Sequence, residues 1–291
     1  MTTEHMKQLF IFVFSVLALI SCDSGTDLPE AIMEPVAAEV TARIGPVSRA
    51  AGTDWAENDR IGISGVSGSK TYANVEYRIA DAATGEFTAV GNGIFYQTNQ
   101  PVVFTAYYPF TGTDGTAQAS IAGNTRAGNQ TAAAQPGIDY LWAQATGSYK
   151  KPVNFSFSHK MSRLSLTFVS GDGIDVSDMT SFSVDDLKME GTFDTATGTA
   201  TATGIAETLT VSDPALTSLI LYPQEVAGGI VIRVLIDGQT YGCLLENIEE
   251  LLPGMDYAIT ITVSKTGLTV SSCTIADWGN GPNYNGDATL Q

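Results

Sequence analysis

The sequence has few of the residues that carry most enzyme chemistry. It contains two histidines and three cysteines among 291 residues. His5 lies in an N-terminal segment that we expect to be removed, so His159 alone remains to form a metal site or a catalytic dyad. A Gly-rich phosphate loop, a nucleophile elbow and an HExxH motif are also missing. We therefore expect no catalytic residue, no metal and no cofactor, and we assign His159 a structural hydrogen-bonding role at a strand end.

Positive charge is scarce as well. Lys and Arg number 14 against 31 Asp and Glu, which gives a net charge of −17. This excludes nucleic acid as a partner, because no surplus of cations exists to neutralise phosphates. The adjacent carboxylate pairs Asp185-Asp186 and Glu249-Glu250 do not suggest acid-base catalysis, since neighbouring residues of a strand face opposite sides.

A long apolar run is the third thing the chain lacks. Residues 9–20 form its longest apolar stretch, well short of the about 20 residues that a membrane-spanning helix needs. With Lys7 before it, the stretch is typical of a signal peptide over residues 1–21, whether translation starts at Met1 or at Met6. The sequence Leu-Ile-Ser-Cys at its end is a lipobox, which predicts a lipid-modified Cys22 and a membrane-anchored precursor.

The mature chain begins with a polar tether and a first strand. Residues 22–35 are polar, acidic and contain proline, as flexible linkers are. Beyond them apolar and polar residues alternate, and this period of two predicts a half-buried strand at an edge of the fold. The apolar positions of this strand are Val36, Ala38, Val40, Ala42 and Ile44.

The rest of the chain has the pattern of an all-β protein. Runs of period two bounded by Gly, Asn and Pro recur to residue 263, and no capped amphipathic helix is evident. We predict two β-sandwich domains in series, over residues 36–159 and 160–291. Residues 112–136 have the composition of a long exposed loop, and residues 191–204 that of a strand or hairpin with weakly specified register.

Two further sets of residues leave alternatives open. Cys243 and Cys273 could pair in an oxidising compartment, which their spacing alone does not decide. A cluster of aromatics could either belong to the core or form a stacking platform for a sugar. Its members are Trp55, Trp142, Trp278, Tyr107 and Tyr108.

An ordered set of short motifs gives the chain a family resemblance. W-x-x-x-D-x-I-G-I begins at Trp55, and A-Y-Y-P-F begins at Ala106. The later motifs are D-Y-L-W-A at Asp139, F-S-F-S-H at Phe155, L-P-G at Leu252, and I-A-D-W at Ile275. In this order the set resembles the fimbrillin family of Bacteroidota, the subunits of type V pili. The resemblance covers roughly residues 36–280.

The resemblance implies both an architecture and an assembly mechanism. It implies two transthyretin-like β-sandwich domains and a lipoprotein precursor carried to the outer membrane and into a cell-surface fimbrium. A trypsin-like protease would cut after an N-terminal arginine, the first strand would leave, and a strand of another pilin subunit would fill the groove. Arg43 and Arg49 are the basic residues between Cys22 and Trp55. We favour Arg49, because a cut there releases the whole alternating strand in one piece.

Two alternatives remain at this stage. Residues 279–286 are rich in Gly and Asn, and only residues 287–291 follow, so a long donor strand is not evident. That departure from the pattern of a stalk subunit leaves a tip, accessory or anchor subunit open. The alternative function is a monomeric surface lipoprotein that binds glycan or a host ligand through exposed aromatics.

Overall fold

The computed structural model describes residues 34–45 and 55–278. Cys22, Arg49, the signal peptide and the C-terminal stretch from residue 279 lie outside these ranges, as does most of the tether. Within them, no helix is long and apolar enough to cross a membrane.

The described residues form twenty strands and three single turns of 3₁₀ helix. The first ten strands are β1 (Val36–Ala37), β2 (Val40–Ile44), β3 (Arg60–Ser67), β4 (Lys70–Asp81), β5 (Glu86–Ala89), β6 (Phe95–Tyr96), β7 (Val102–Tyr108), β8 (Ser120–Asn124), β9 (Leu141–Gly147) and β10 (Val153–His159). The second ten are β11 (Ser162–Ser170), β12 (Met179–Asp194), β13 (Thr199–Val211), β14 (Ser218–Leu221), β15 (Gln224–Glu225), β16 (Ile230–Ile236), β17 (Gln239–Leu245), β18 (Glu250–Leu251), β19 (Met255–Ser264) and β20 (Gly267–Asp277). The turns are Ala127–Asn129, Gln135–Gly137 and Val176–Asp178. The all-β prediction is confirmed.

Seven strands of the N-terminal half close into a barrel. Their order is β10-β2-β5-β4-β3-β7-β9, and β9 pairs with β10 to complete the ring. Alternate side chains of each strand point inward, as the period of two requires. Side chains that are almost completely buried in this interior include Ile61, Ile63, Tyr96, Phe104, Phe155 and Phe157. The sequence predicts a sandwich here, but the first strand bonds to neighbours on both sides and leaves the sheet no free edge.

The C-terminal half is a two-sheet sandwich. One sheet has the order β14-β11-β19-β20, and the other has the order β13-β12-β16-β17. Inward residues of both sheets share one apolar core, with Leu164 and Ile259 from the first sheet, and Phe182 and Ile232 from the second. Such face-to-face packing buries the alternating apolar positions of the central strands β11, β12, β16 and β19.

A strand from the N-terminal half extends the second sheet. β8 pairs antiparallel with the distal end of β12, from Glu190 to Asp194. The prediction of an exposed loop over residues 112–136 is therefore wrong for this stretch, because a long β12 offers pairing that composition does not reveal. A third apolar cluster, which includes Tyr107, Ile121 and Phe193, lies where the two halves meet. The predicted division at residue 159 stays a prediction.

Candidate functional site

The first strand closes the barrel. β2 runs parallel to β10, in register from Val40 opposite Val153 to Ile44 opposite Phe157. On its other side it pairs antiparallel with β5 at only two positions, Val40 and Thr41. The expectation of an edge strand is thus wrong for β2, since both of its sides are hydrogen-bonded. Removing it would open the barrel between β10 and β5.

The strand is held by its apolar face. Ala38, Val40, Ala42 and Ile44 are buried, and Val36 is half-buried on β1. The strand is interrupted between β1 and β2, where the amide of Ala38 donates to the carbonyl of Ile94 at 2.8 Å, but the alternation of burial continues through this break. β1 itself pairs with β6. The five positions singled out from the sequence therefore belong to two short strands that share one apolar side.

Trp55 lies against the inner side of β2. Its indole Nε1 donates to the carbonyl oxygen of Ala42 at 2.8 Å. Its ring makes edge-to-face contacts with Phe87, Tyr108 and Phe157, at centroid distances of 5.1, 5.6 and 5.4 Å. Sequence reasoning identified Trp55 as a motif residue but missed this contact, because no periodicity reveals a bond from an indole to a strand.

Outward residues of β2 make a polar seam with β10. The hydroxyl of Thr41 donates to Oδ1 of Asn154 at 2.5 Å, and Nε of Arg43 donates to the hydroxyl of Ser156 at 3.3 Å. The backbone of Arg43 lies within the β2–β10 ladder. Arg43 is therefore part of a paired strand.

A pocket lies beside β2 on the side of β5. Its volume is about 580 Å³, and its walls include Val40, Tyr77, Phe87, Ala89 and Ile94. The short β2–β5 pairing leaves this space open to solvent. Burial raises the pKa of the Tyr77 phenol, so this side chain stays neutral at ordinary pH. Glu39 and Glu86 also line the pocket, so the side of β2 towards β5 combines apolar walls with two carboxylates and is held by few backbone bonds.

Of the two alternatives for the aromatic cluster, the structure shows core packing and no stacking platform. Trp55, Tyr107, Tyr108 and Trp278 are buried, and Trp142 is half-buried with its Nε1 donating to the carbonyl of Thr195 at 3.1 Å. Each of these side chains packs against its neighbours, as core aromatics do.

His159 has the structural role expected of it. Its Nδ1 lies 2.8 Å from Oδ1 of Asp139, and its ring stacks on Trp278 at a centroid distance of 3.9 Å. The described residues hold no cluster of three or more His, Cys, Asp or Glu that could bind a metal ion.

The remaining sequence candidates are dispersed. Asp185 accepts from Nε of Arg233 at 2.8 Å, whereas Asp186 is exposed; Glu249 and Glu250 are also exposed. Cys243 and Cys273 are free thiols on β17 and β20, and burial raises the pKa of both. The structure does not join them in a disulfide, which was one of the two alternatives that the sequence leaves open.

Comparisons with known proteins agree on one group. A family profile described as fimbrillin-like matches residues 48–278. A Bacteroides uniformis protein assigned as the fimbrium subunit Fim1C is 28% identical over 97% of this chain and 99% of its own. The crystal structure assigned as a cell adhesion protein of Bacteroides ovatus is 28% identical, covers 84% of this chain and 99% of its own, and has a TM-score of 0.71. A fimbrilin of Porphyromonas gingivalis has the same fold at 10% identity, with a TM-score of 0.50 over 83% of this chain and 97% of its own.

Proposed function

This chain belongs to the fimbrillin-like family, a family of fimbrial and surface-adhesion proteins rather than enzymes, and from that premise we propose that it is a pilus subunit assembled by strand exchange. It is exported as a lipoprotein through Cys22, held at the outer membrane, and matured by a trypsin-like protease. The barrel and the sandwich are its two domains.

The position of β2 is the observation that carries this proposal. A strand that closes a barrel, and that belongs to the N-terminal end of the chain, can leave without unthreading any other element. Its departure would uncover the inner face of Trp55 and the unpaired backbone groups of β10 and β5. Such a groove takes an extended segment by β-augmentation, with alternate side chains filling the apolar side.

Burial of the first strand explains why cleavage of the chain alone does not release it. Each buried Val or Ile side chain contributes about 1.5–3 kcal/mol, and Val40 and Ile44 are both buried. A cut removes the covalent tether but none of these contacts. The first strand therefore stays in place until an incoming strand replaces it, and the apolar groove is not exposed to water between the two states.

The structure describes the surroundings of one of the two candidate arginines, Arg43. Arg43 is paired with Ser156 in the ladder, and its backbone cannot enter a protease cleft unless β2 is first pulled out. Proteases cut preferentially in exposed segments without such pairing. Arg49 lies beyond the end of β2, outside the described residues. The pairing of Arg43 argues against a cut there, and we therefore keep Arg49 as the proposed site.

Cleavage of paired variants tests the proposal. We expect trypsin-like treatment of the full chain to give a product that begins at Ala50 and then forms oligomers. Arg49→Ala should abolish both results, and Arg43→Ala should leave both unchanged. Mass spectrometry of the N-terminus and electron microscopy of the products report the two steps separately. Oligomers of the Arg49→Ala variant that match wild type would refute the maturation step.

A further inference from the structure

The long sheet edges of the described fold differ in how they are covered. The barrel has no edge. β14 is covered by two glutamines: the Gln130 amide exchanges two hydrogen bonds with the backbone of Ile220, at 2.8 and 2.9 Å, and Gln135 donates to the carbonyl of Ser218 at 2.6 Å. β17 and β20, the edges of the facing sheets, lie against each other. Edges left open are templates for pairing with another chain, and proteins normally block them.

β13 is the long edge that no described strand pairs on its outer side, although the turn Ala127–Asn129 lies close to the strand. It pairs with β12 alone, and no described strand lies on its outer side. From Thr195 to Ala206 the sequence contains no ionisable side chain, although the whole chain has 45 charged residues, 31 acidic and 14 basic. The charged gatekeepers that usually protect an edge are therefore missing here.

The neighbouring charges on the outer face are neutralised in part by one residue. Arg126 donates to Glu190 at 3.1 Å and to the two oxygens of Glu207 at 2.6 and 2.8 Å. These carboxylates hold the pKa of Arg126 above its usual range, so the guanidinium stays charged. With a net charge of −17, two copies of the chain repel each other over most of their surface, and the β13 edge is a place where that repulsion is weak.

The pattern of β13 is self-complementary. A bulge at Gly204 and Ile205 interrupts the ladder, and Gly204 has a φ of +80°. It leaves Thr199–Thr203 as a regular stretch in which the threonines are exposed and the alanines half-buried. If two copies meet antiparallel about Thr201, Thr faces Thr on one side and Ala faces Ala on the other. Threonine pairs opposite each other favour such ladders.

We propose that the Thr199–Thr203 edge pairs with the same edge of a second copy of this chain. The pairing is twofold and closes on itself, so one contact joins two copies and no more. It goes beyond the proposed strand exchange and needs no cut. In a filament built by that exchange, each subunit would present one such edge to a neighbouring filament.

Charge variants at the twofold axis test this pairing. In Thr201→Lys or Thr201→Glu, like charges face each other across the axis, whereas a mixture of the two variants places Lys opposite Glu. The uncut full chain, kept in detergent at less than one chain per micelle, should dimerise weakly at concentrations up to about 1 mM. Each single variant should raise the dissociation constant about fivefold or more, and the equimolar mixture should restore it.

Sedimentation velocity gives the readout, and Thr208→Lys is the matched control. Thr208 is an exposed threonine of the same strand beyond the bulge, so its change should leave dimerisation intact. A wild-type chain that stays monomeric at about 1 mM overturns the proposal. So does a Thr201→Lys variant that dimerises as wild type does, or a mixture that fails to recover. Failure here leaves strand exchange untouched, because that step is read from the cut chain.

Discussion

At the scale of single residues, Trp55 joins the core to the strand that we propose is removed. Its indole N–H donates to the backbone carbonyl oxygen of Ala42, so this hydrogen bond does not require any particular side chain on β2. Its ring also packs on Phe87 and Phe157, which flank the strand on β5 and β10. One side chain thus joins the strand to both of its neighbours.

Trp55→Phe should loosen the first strand selectively. The loss of one buried hydrogen bond costs about 1 kcal/mol of unfolding free energy, and the smaller ring adds to it. Hydrogen exchange should show faster opening of β2, and urea titration should show the lower stability. Trp142→Phe is the matched control, since it also removes an indole bond to a carbonyl, that of Thr195. Equal acceleration of β2 exchange in both variants would contradict a specific role of Trp55.

At the scale of elements, the contacts of β2 show which kind of peptide would fit the groove that the strand occupies. A peptide of residues 34–45 carries every contact that β2 makes in the uncut chain, including the register with β10. Because the groove recognises backbone and alternating apolar side chains, it should accept this peptide in place of a subunit's strand.

The peptide of residues 34–45 should therefore inhibit oligomer formation when added to the cut chain. It competes for the same apolar positions and backbone bonds. A peptide with Ala42→Asp is the control, because a charge at this buried position has no partner in the barrel. Light scattering during assembly gives the rate. If both peptides inhibit equally, the inhibition does not come from insertion beside β10.

Local sequence patterns predicted where the strands lie but not which strands pair with each other. Alternation located β2, β10 and β11, since the period of two depends only on which face of a strand is buried. It could not show that β2 pairs with a strand 113 residues later, at Asn154, and therefore closes a barrel. β8 was missed because Ile121 is its one large apolar residue, and its strand conformation depends on β12.

At the scale of the whole molecule, buried phenols are distributed through both halves. Burial raises the pKa of Tyr96 to about 12 and raises those of Tyr77, Tyr107, Tyr140 and Tyr257 as well. In the unfolded chain each phenol ionises near its ordinary pKa of about 10. Above that pH the unfolded state binds fewer protons than the folded state, so stability falls as pH rises.

Stability should therefore be fully retained up to about pH 10 and decline steeply from there towards pH 12. Tyr96→Phe should reduce this decline. The same change should cost little at pH 7, because the hydroxyl of Tyr96 is buried without a hydrogen-bond partner. Urea midpoints of both proteins between pH 7 and 11.5 check the difference. An unchanged alkaline slope in the variant would rule out Tyr96 as a contributor.

The parallel pairing of β2 with β10 also sets the order in which the chain can fold. Synthesis delivers β2 early, but its main partner arrives only with residues 153–159. Until then β2 can pair only with β5, at two positions, and contacts of the sequence separation between β2 and β10 form late. One of the first strands to be made thus closes the barrel last, only after more than half of the chain has been synthesised.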